Sequence, residues 1–408
     1  MKSDDANREN RVTEVPAEPK DSASEKKLRV LQVNKMYYPA TGGVERLVQQ
    51  IAEGLNERTD MKVLVCRKKG KGQVDTINGV EVHRASSLGV YFSMPVSFSF
   101  FRQLRSMSRD CDVIHLHMPF PLGDLGILLS GFKGKVVVSW HSDVVRQKKL
   151  MVLYRPIMER LLKRADAIVV ATRGHIDGSA YLGPYRDKCV VVPYAVSEYL
   201  RRKAEESTPK QYIPGAPVEF LFVGRLVYYK GCDVLLRAFA KVPNARLTMV
   251  GNGVLLEELQ NLAEELGIAS RVRFETDLPD SKMAVAFENS DVFVLPSVER
   301  SEAFGLVQIE AMAYGKPVIN TWLKSGVPYV SLNGKTGLTV NPGDVDALAD
   351  AMKKLAADPA LREQYGKAAR ERVQKNFTTE LMLDQLMKVY QRKKWTIEIE
   401  RSKNETKL

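Results

Sequence analysis

Residues 201–218 read RRKAEESTPKQYIPGAPV, and residues 219–231 that follow read EFLFVGRLVYYKG. The first stretch is charged and carries three prolines and a glycine, the composition of an interdomain linker. The second begins with a short apolar run, the mark of a buried strand, and ends in a loop of glycine and basic residues. Upstream, β-rich runs at Leu28–Val33, Lys62–Val65, Asp112–His117, Val136–Trp140, Ala167–Ala171 and Lys188–Val192 alternate with helical stretches such as Val44–Arg58 and Leu150–Arg164. Downstream the alternation restarts. Strands are expected at Glu219–Val223, Arg246–Val250, Val292–Leu295, Pro317–Asn320 and Gly337–Val340. Helices are expected at Cys232–Lys241, Leu255–Leu266, Phe304–Tyr314 and Val345–Ala356, with helical pattern continuing over Leu361–Lys375 and Leu381–Lys393. Alternating βα units imply parallel sheets with helices on both faces. The chain therefore reads as α/β: two Rossmann-like domains, 28–200 and 219–375, joined by 201–218 and facing across a cleft. Ligands of such sheets bind outside the carboxyl ends of the strands.

Composition narrows the function. A length of 408 residues suits two or three domains, and 44% hydrophobic with 27% charged residues is globular. The longest near-apolar stretch, Val90–Phe101, is broken by serine and falls short of the ~20 residues of a spanning helix. Residues 1–27 are polar and mixed in charge, without the apolar core of a signal peptide, and read as a disordered tail. Residues 396–408 read as a second tail. Cys66, Cys111, Cys189 and Cys232 form no CxxC pair and fit a reduced, cytoplasmic protein. The net charge of +12 is uneven: residues 1–200 carry +9 of it. That asymmetry favours an anionic partner.

Several motifs fail on their own terms. Gly251-Asn252-Gly253 opens like a dinucleotide fingerprint, but Leu256 takes the third glycine position, so a tight turn is expected. Gly334-Lys335-Thr336 resembles the end of a P-loop, but Tyr329 stands where its first glycine belongs. The pairs Asp110/Asp112 and Asp344/Asp346 could hold a metal, yet their positions suit a strand entry and a helix cap. His115 and His117 share one face of a strand without a third ligand, so they read as core or cleft-lining residues.

Four segments sit at loop-to-helix junctions. Tyr37–Arg46 contains Gly42-Gly43, which lets backbone approach a ligand ahead of a helix N-terminus. Trp140-His141-Ser142-Asp143 ends a strand and places His141 at the cleft. Gly224-Arg225-x4-Lys230-Gly231 flanks a loop with two cations, suited to a diphosphate. Ser301–Ala313 holds Glu302 and Glu310; carboxylates accept hydrogen bonds from sugar hydroxyls, and the amides of Gly305, Leu306 and Val307 can face phosphate.

Taken together, these segments resemble the retaining family 4 glycosyltransferases, which have the GT-B fold. The most specific is Glu302-x7-Glu310 within SEAFGLVQIEAMAYGKPVI, then the Gly-Arg-x4-Lys-Gly segment and the Gly-Gly-Val-Glu loop. WHSDVVRQKK, LYRP and RDKCVVVP look like a rhamnosyl- or mannosyltransferase subgroup of bacterial surface polysaccharide assembly. The resemblance implies that Arg225 and Lys230 bind the donor diphosphate, with Gly42 and Gly43 meeting it from the other domain. It implies that Glu310 holds ribose hydroxyls, Glu302 contacts donor-sugar hydroxyls, and His141 lies beside the anomeric centre. It implies retention of configuration, no required cofactor or metal, and a last helix at 376–395 that crosses back to the first domain. GDP-mannose is the first donor, UDP-sugars the alternative, and a polyprenyl-diphosphate-linked saccharide the acceptor. Two segments depart from the family pattern: Val192-Pro193-Tyr194-Ala195-Val196 at the linker entry, and Phe274-Glu275-Thr276-Asp277 at the base loop. They bear on hinge geometry and base choice.

Residues 146–164, RQKKLMVLYRPIMERLLKR, carry seven Lys/Arg and one Glu among apolar residues. Such a helix can lie on an anionic membrane, here the inner face of the plasma membrane; Pro156 would interrupt it unless it starts there. Nucleic acid is a poorer fit, since no reader motif accompanies the charge. A UDP-sugar epimerase and a catalytically dead nucleotide-sugar-binding protein are the rivals from other classes. Intact His141, Arg225, Lys230, Glu302 and Glu310 argue against the dead site.

Overall fold

The computed structural model describes residues 26–392, except 41, 92–93, 144–147, 209 and 211–212. The expected tails lie outside the described residues, apart from Lys26 and Lys27. So do residues 393–395 of the expected last helix and 146–147 of the basic segment.

Each alternating series closes into its own sheet. The first runs, in spatial order, Cys189–Val191, Ala167–Val170, Lys135–Trp140, Val113–Met118, Leu28–Val33, Thr59–Cys66, Val80–Ala85 and Gln73–Ile77. All neighbours are parallel except the last pair, an antiparallel hairpin. The second sheet is wholly parallel: Val272–Glu275, Ala245–Val250, Val218–Val223, Val292–Val294, Val318–Thr321 and Gly337–Val340. The central runs are apolar because both faces are covered: every residue of Val113–Met118 and of Val318–Thr321 is buried. In each sheet the strand order reverses at one place. It lies between Leu28–Val33 and Val113–Met118 in the first, and between Val218–Val223 and Val292–Val294 in the second. Those reversals are where open α/β sheets bind ligands.

Three differences from the sequence reading have local causes. The stretch 201–218 begins inside a helix, Glu198–Glu206, capped by the Ser197 hydroxyl accepting from the Leu200 amide. Leu200 and Ala204 are buried, and the helix packs on Leu306–Ala313 and Asp280–Asn289 of the second half. Its apolar stripe outweighs the charge that made the segment read as linker. The helix Lys148–Arg164 continues through Pro156. Val152 and Leu153, one turn earlier, are exposed, so water can serve the carbonyl that the proline leaves unbonded. The strands Gln73–Ile77, Val80–Ala85 and Val272–Glu275 were not expected.

The last helix, Thr379–Gln391, returns to the first half, where it packs on helix Gly43–Leu55 and strand Lys135–Trp140. Gln50 donates to the Thr379 hydroxyl at 2.7 Å, and Arg58 pairs with Asp384 at 2.7 Å. One apolar cluster spans both halves, joining Val48 and Ile51, Tyr194, Phe304, Phe377 and Leu386. Among the described residues, no helix is long and apolar enough to cross a membrane.

Candidate active site

The second-sheet reversal carries two loops. Strand Val218–Val223 leads into Gly224-Arg225, and Val292–Val294 leads into the segment that ends at Glu302. They meet in a buried ion pair: Lys230 Nζ lies 2.5 Å from Glu302 Oε2, each side chain about 10% exposed. The Ser297 hydroxyl donates to the same oxygen at 3.2 Å. Gly224 has φ +158°, and a Cβ there would lie 3.3 Å from Lys230 Nζ, so glycine gives the lysine its place. Arg225 stays exposed and donates to the Tyr229 hydroxyl at 2.8 Å. The Tyr229 ring lies 6.0 Å from the Arg225 guanidinium and 5.8 Å from Lys230 Nζ, so one aromatic ring lies within reach of both cations.

Glu302 leads into the turn that starts helix Leu306–Ala313. Gly305 caps it at φ +71°, a left-handed conformation that suits glycine. Phe304 is buried between Tyr194 (4.9 Å between ring centres) and Phe377 (6.0 Å). Glu310 lies one turn further, partly buried, and desolvation pushes its carboxyl up to about 7. Arg46 of the first half opposes that shift, while Asp280, itself paired with Arg46 at 3.3 Å, adds to it.

The first half closes the site from the other side. Gly42 caps helix Gly43–Leu55, with the Glu45 carboxylate folded over it. A Cβ at Gly43 would sit 3.4 Å from Leu306, so the double-glycine loop faces the Phe304–Val307 turn directly. His141 follows strand Lys135–Trp140 and is buried. Its Nδ1 lies 2.6 Å from the Tyr194 hydroxyl and its Nε2 lies 3.0 Å from His117 Nδ1. Burial holds His115 and His141 down to about 3 and His117 well below its ordinary value, so all three are neutral.

The fold thus unites Lys230 with Glu302, and Gly43 with Leu306. His141 reaches the second half through Tyr194, whose ring packs on Phe304. Tyr194 lies in the segment Val192–Val196 at the linker entry, and here it bridges the halves. Ser297, Gln32 and Tyr390 were not singled out in the sequence; their signal is three-dimensional. The declined motifs have structural work. A Cβ at Gly251 would overlap the Gly224 carbonyl, Asp344 caps a helix by accepting from the Ala347 amide, and Asp112 pairs with Arg29. Among the described residues, no three His, Cys, Asp or Glu gather as metal ligands.

Two parallel α/β halves across a cleft, crossed by a final helix and carrying their polar residues at the sheet reversal, define the GT-B class of glycosyltransferases. Residues 203–372 match the model of glycosyl transferases group 1, and residues 42–195 that of the glycosyl transferase 4-like domain. The chain is 32% identical to O-antigen chain mannosyltransferase C of Escherichia coli, over 89% of this chain and 98% of that protein. The chain belongs to the family 4 glycosyltransferases. It is also 34% identical to the D-rhamnosyltransferase WbpZ of Pseudomonas aeruginosa, over 86% and 92% of the two chains. Sucrose-phosphate synthase of Thermosynechococcus elongatus shares the fold with TM-score 0.69 at 22% identity, over 89% of this chain and 98% of that one. Anabaena HepE in complex with UDP and glucose does so with TM-score 0.69 at 17% identity, over 89% and 99%.

Proposed function

We propose that the chain transfers a hexose, with retention, from a nucleoside-diphosphate sugar to a saccharide acceptor in bacterial surface polysaccharide synthesis. The buried Lys230–Glu302 pair at the sheet reversal, with Arg225 beside it, carries this reading. Lys230 and Arg225 take the donor diphosphate and neutralise the charge that builds on it as the glycosidic bond breaks. Glu302 holds sugar hydroxyls, and Glu310 holds the ribose. The Gly42-Gly43 loop approaches the diphosphate from the first half. GDP-mannose is the donor the relatives favour, since two of them are an O-antigen mannosyltransferase and a GDP-mannose-dependent mannosyltransferase of Mycolicibacterium smegmatis.

The acceptor is read as a polyprenyl-diphosphate-linked saccharide at the cytoplasmic membrane face. The helix Lys148–Arg164, with Val152 and Leu153 exposed among basic residues, supports that placement. The test is nucleotide release from GDP-mannose and from UDP-glucose in the presence of lipid-linked saccharide. Release from GDP-mannose, coupled to acceptor extension and abolished by Lys230→Ala and Glu302→Ala, supports the proposal. Release from UDP-glucose alone overturns the donor. Near-normal transfer by both variants overturns the site.

A further inference from the structure

Seven buried side chains form one unbroken chain of hydrogen bonds through the first half. Tyr194 Oη lies 2.6 Å from His141 Nδ1, His141 Nε2 3.0 Å from His117 Nδ1, and His117 Nε2 2.7 Å from Gln32 Oε1. Gln32 Nε2 lies 3.0 Å from Tyr390 Oη, Tyr390 Oη 2.7 Å from His115 Nδ1, and His115 Nε2 2.7 Å from the Ser139 hydroxyl. All seven are less than 9% exposed. They lie at the first-sheet reversal: Gln32 is on one bordering strand, His115 and His117 on the other, and Tyr390 descends from the returning last helix.

A neutral imidazole offers one donor and one acceptor. Each link therefore constrains the next. Gln32 presents its carbonyl oxygen to His117, so His117 Nε2–H donates and its Nδ1 accepts. His141 then donates through Nε2–H and accepts the Tyr194 hydroxyl proton at Nδ1. On the other side the Gln32 amide donates to Tyr390, whose hydroxyl donates to His115 Nδ1, and His115 Nε2–H donates to Ser139. Every link has one proton and one lone pair. Gln32 alone has its donor and acceptor on different, non-exchanging atoms, so it sets the direction of the whole chain. The imidazoles and hydroxyls could run either way.

We propose that Gln32 and Tyr390 are positioning residues for His141, locking it as the Nε2–H tautomer with a fixed ring plane. The last helix is thereby coupled to the active site through the Tyr390 hydroxyl. Both His141 ring nitrogens are committed within the protein, so the imidazole meets a ligand by packing and exchanges no proton with it. The kinetic consequence rests on the reading that places His141 beside the donor sugar; the tautomer does not.

The test uses full-length protein labelled with ¹⁵N-histidine. Long-range proton–nitrogen correlations assign the tautomer of each histidine without any ligand. His115, His117 and His141 are expected as neutral Nε2–H forms. Tyr390→Phe removes the acceptor of the Gln32 amide and the donor to His115 while keeping the ring volume. It is expected to free the Gln32 amide to invert, so that the tautomers of His115, His117 and His141 are all released, and to lower kcat at least tenfold with donor KM within twofold. Gln32→Leu is expected to release the same three. Nδ1–H forms in the wild type overturn the proposal, as does a folded Tyr390→Phe with wild-type tautomers and kcat. Should Gln32→Leu not fold, Tyr390→Phe alone decides. Lack of turnover with both GDP-mannose and UDP-glucose would overturn the transferase reading and leave the tautomer result standing.

Discussion

Replacing Lys230 by methionine removes one charge of a buried pair. At 2.5 Å and an effective dielectric of about 20, the attraction between Lys230 and Glu302 is roughly 7 kcal/mol, most of it offset by the desolvation of both groups. The net value of the pair is therefore small, but the value of breaking it is not. Lys230→Met leaves the Glu302 carboxylate buried, accepting from the Ser297 hydroxyl but without its ammonium partner. Stranding one charge of a buried pair costs about 3–5 kcal/mol. Glu302→Gln strands the ammonium instead, softened by the amide oxygen, so it should cost about 2–3 kcal/mol. The double variant leaves neither charge, and its loss should fall well short of the two single losses added together. The assay is chemical denaturation of all four proteins at pH 7.5, with nucleotide release measured beside it. A coupling of at least about 2 kcal/mol is expected, together with a loss in kcat of about 10²–10³ for each single variant. A coupling below about 0.5 kcal/mol would refute the reasoning, since it would mean that the two charges do not share a dry site.

Acid should destabilise the fold more steeply than carboxylate chemistry explains. His115 and His141 are held down to about 3 and His175 to about 4, against about 6.5 unfolded, so each costs about 1.4 kcal/mol per pH unit below 6.5. Asp124 and Glu310, pushed up to about 8 and about 7 by burial, act in the opposite sense, because their folded forms take up protons first. Four buried histidines, His117 included, outnumber two such carboxylates, so denaturation midpoints should fall continuously from pH 6.5 to pH 5; a flat profile there contradicts the buried neutral histidines. Gly305→Ala places a Cβ within 2.6 Å of Leu295 and 2.8 Å of the Gln308 amide at φ +71°, and should cost about 1–3 kcal/mol in a denaturation series. Glu310→Gln should weaken nucleoside-diphosphate binding by roughly 10–100-fold in calorimetry, since a charge-assisted bond is worth about 1.5–3 kcal/mol. Chelation with EDTA should leave turnover within twofold of the untreated protein, because Arg225 and Lys230 supply the positive charge at the diphosphate.

Strand and helix positions were readable where the pattern was strong. Leu28–Val33 and Gly337–Val340 fall as expected, and Ala167–Val170 and Val292–Val294 fall within one residue of expectation, because a continuous apolar run in a parallel sheet needs no partner to be recognised. The hairpin of Gln73–Ile77 with Val80–Ala85 was legible in its turn. Asn78-Gly79, both at positive φ, is the strongest short hairpin signal a sequence offers. The helix Glu198–Glu206 was hidden because its charged residues dominate the composition while two small apolar contacts decide its packing. The cationic loop and the two glutamates could be named from spacing, since each sits in one loop-to-helix segment. That Lys230 pairs with Glu302 could not be read, because 72 residues separate them and the turn at Gly305 aims the carboxylate. Gln32 and Tyr390 were beyond sequence reasoning: 358 residues apart, they meet only because the last helix returns across the first sheet.

The most direct measurement is calorimetric titration of the full chain with GDP, UDP and ADP in the presence of EDTA, repeated on Lys230→Met and Arg225→Ala. One nucleoside diphosphate should bind with a stoichiometry near one, GDP first among the three, and its affinity should fall at least tenfold in each variant. Failure of all three to bind, or affinity unchanged in both variants, would contradict a diphosphate site at the second-sheet reversal.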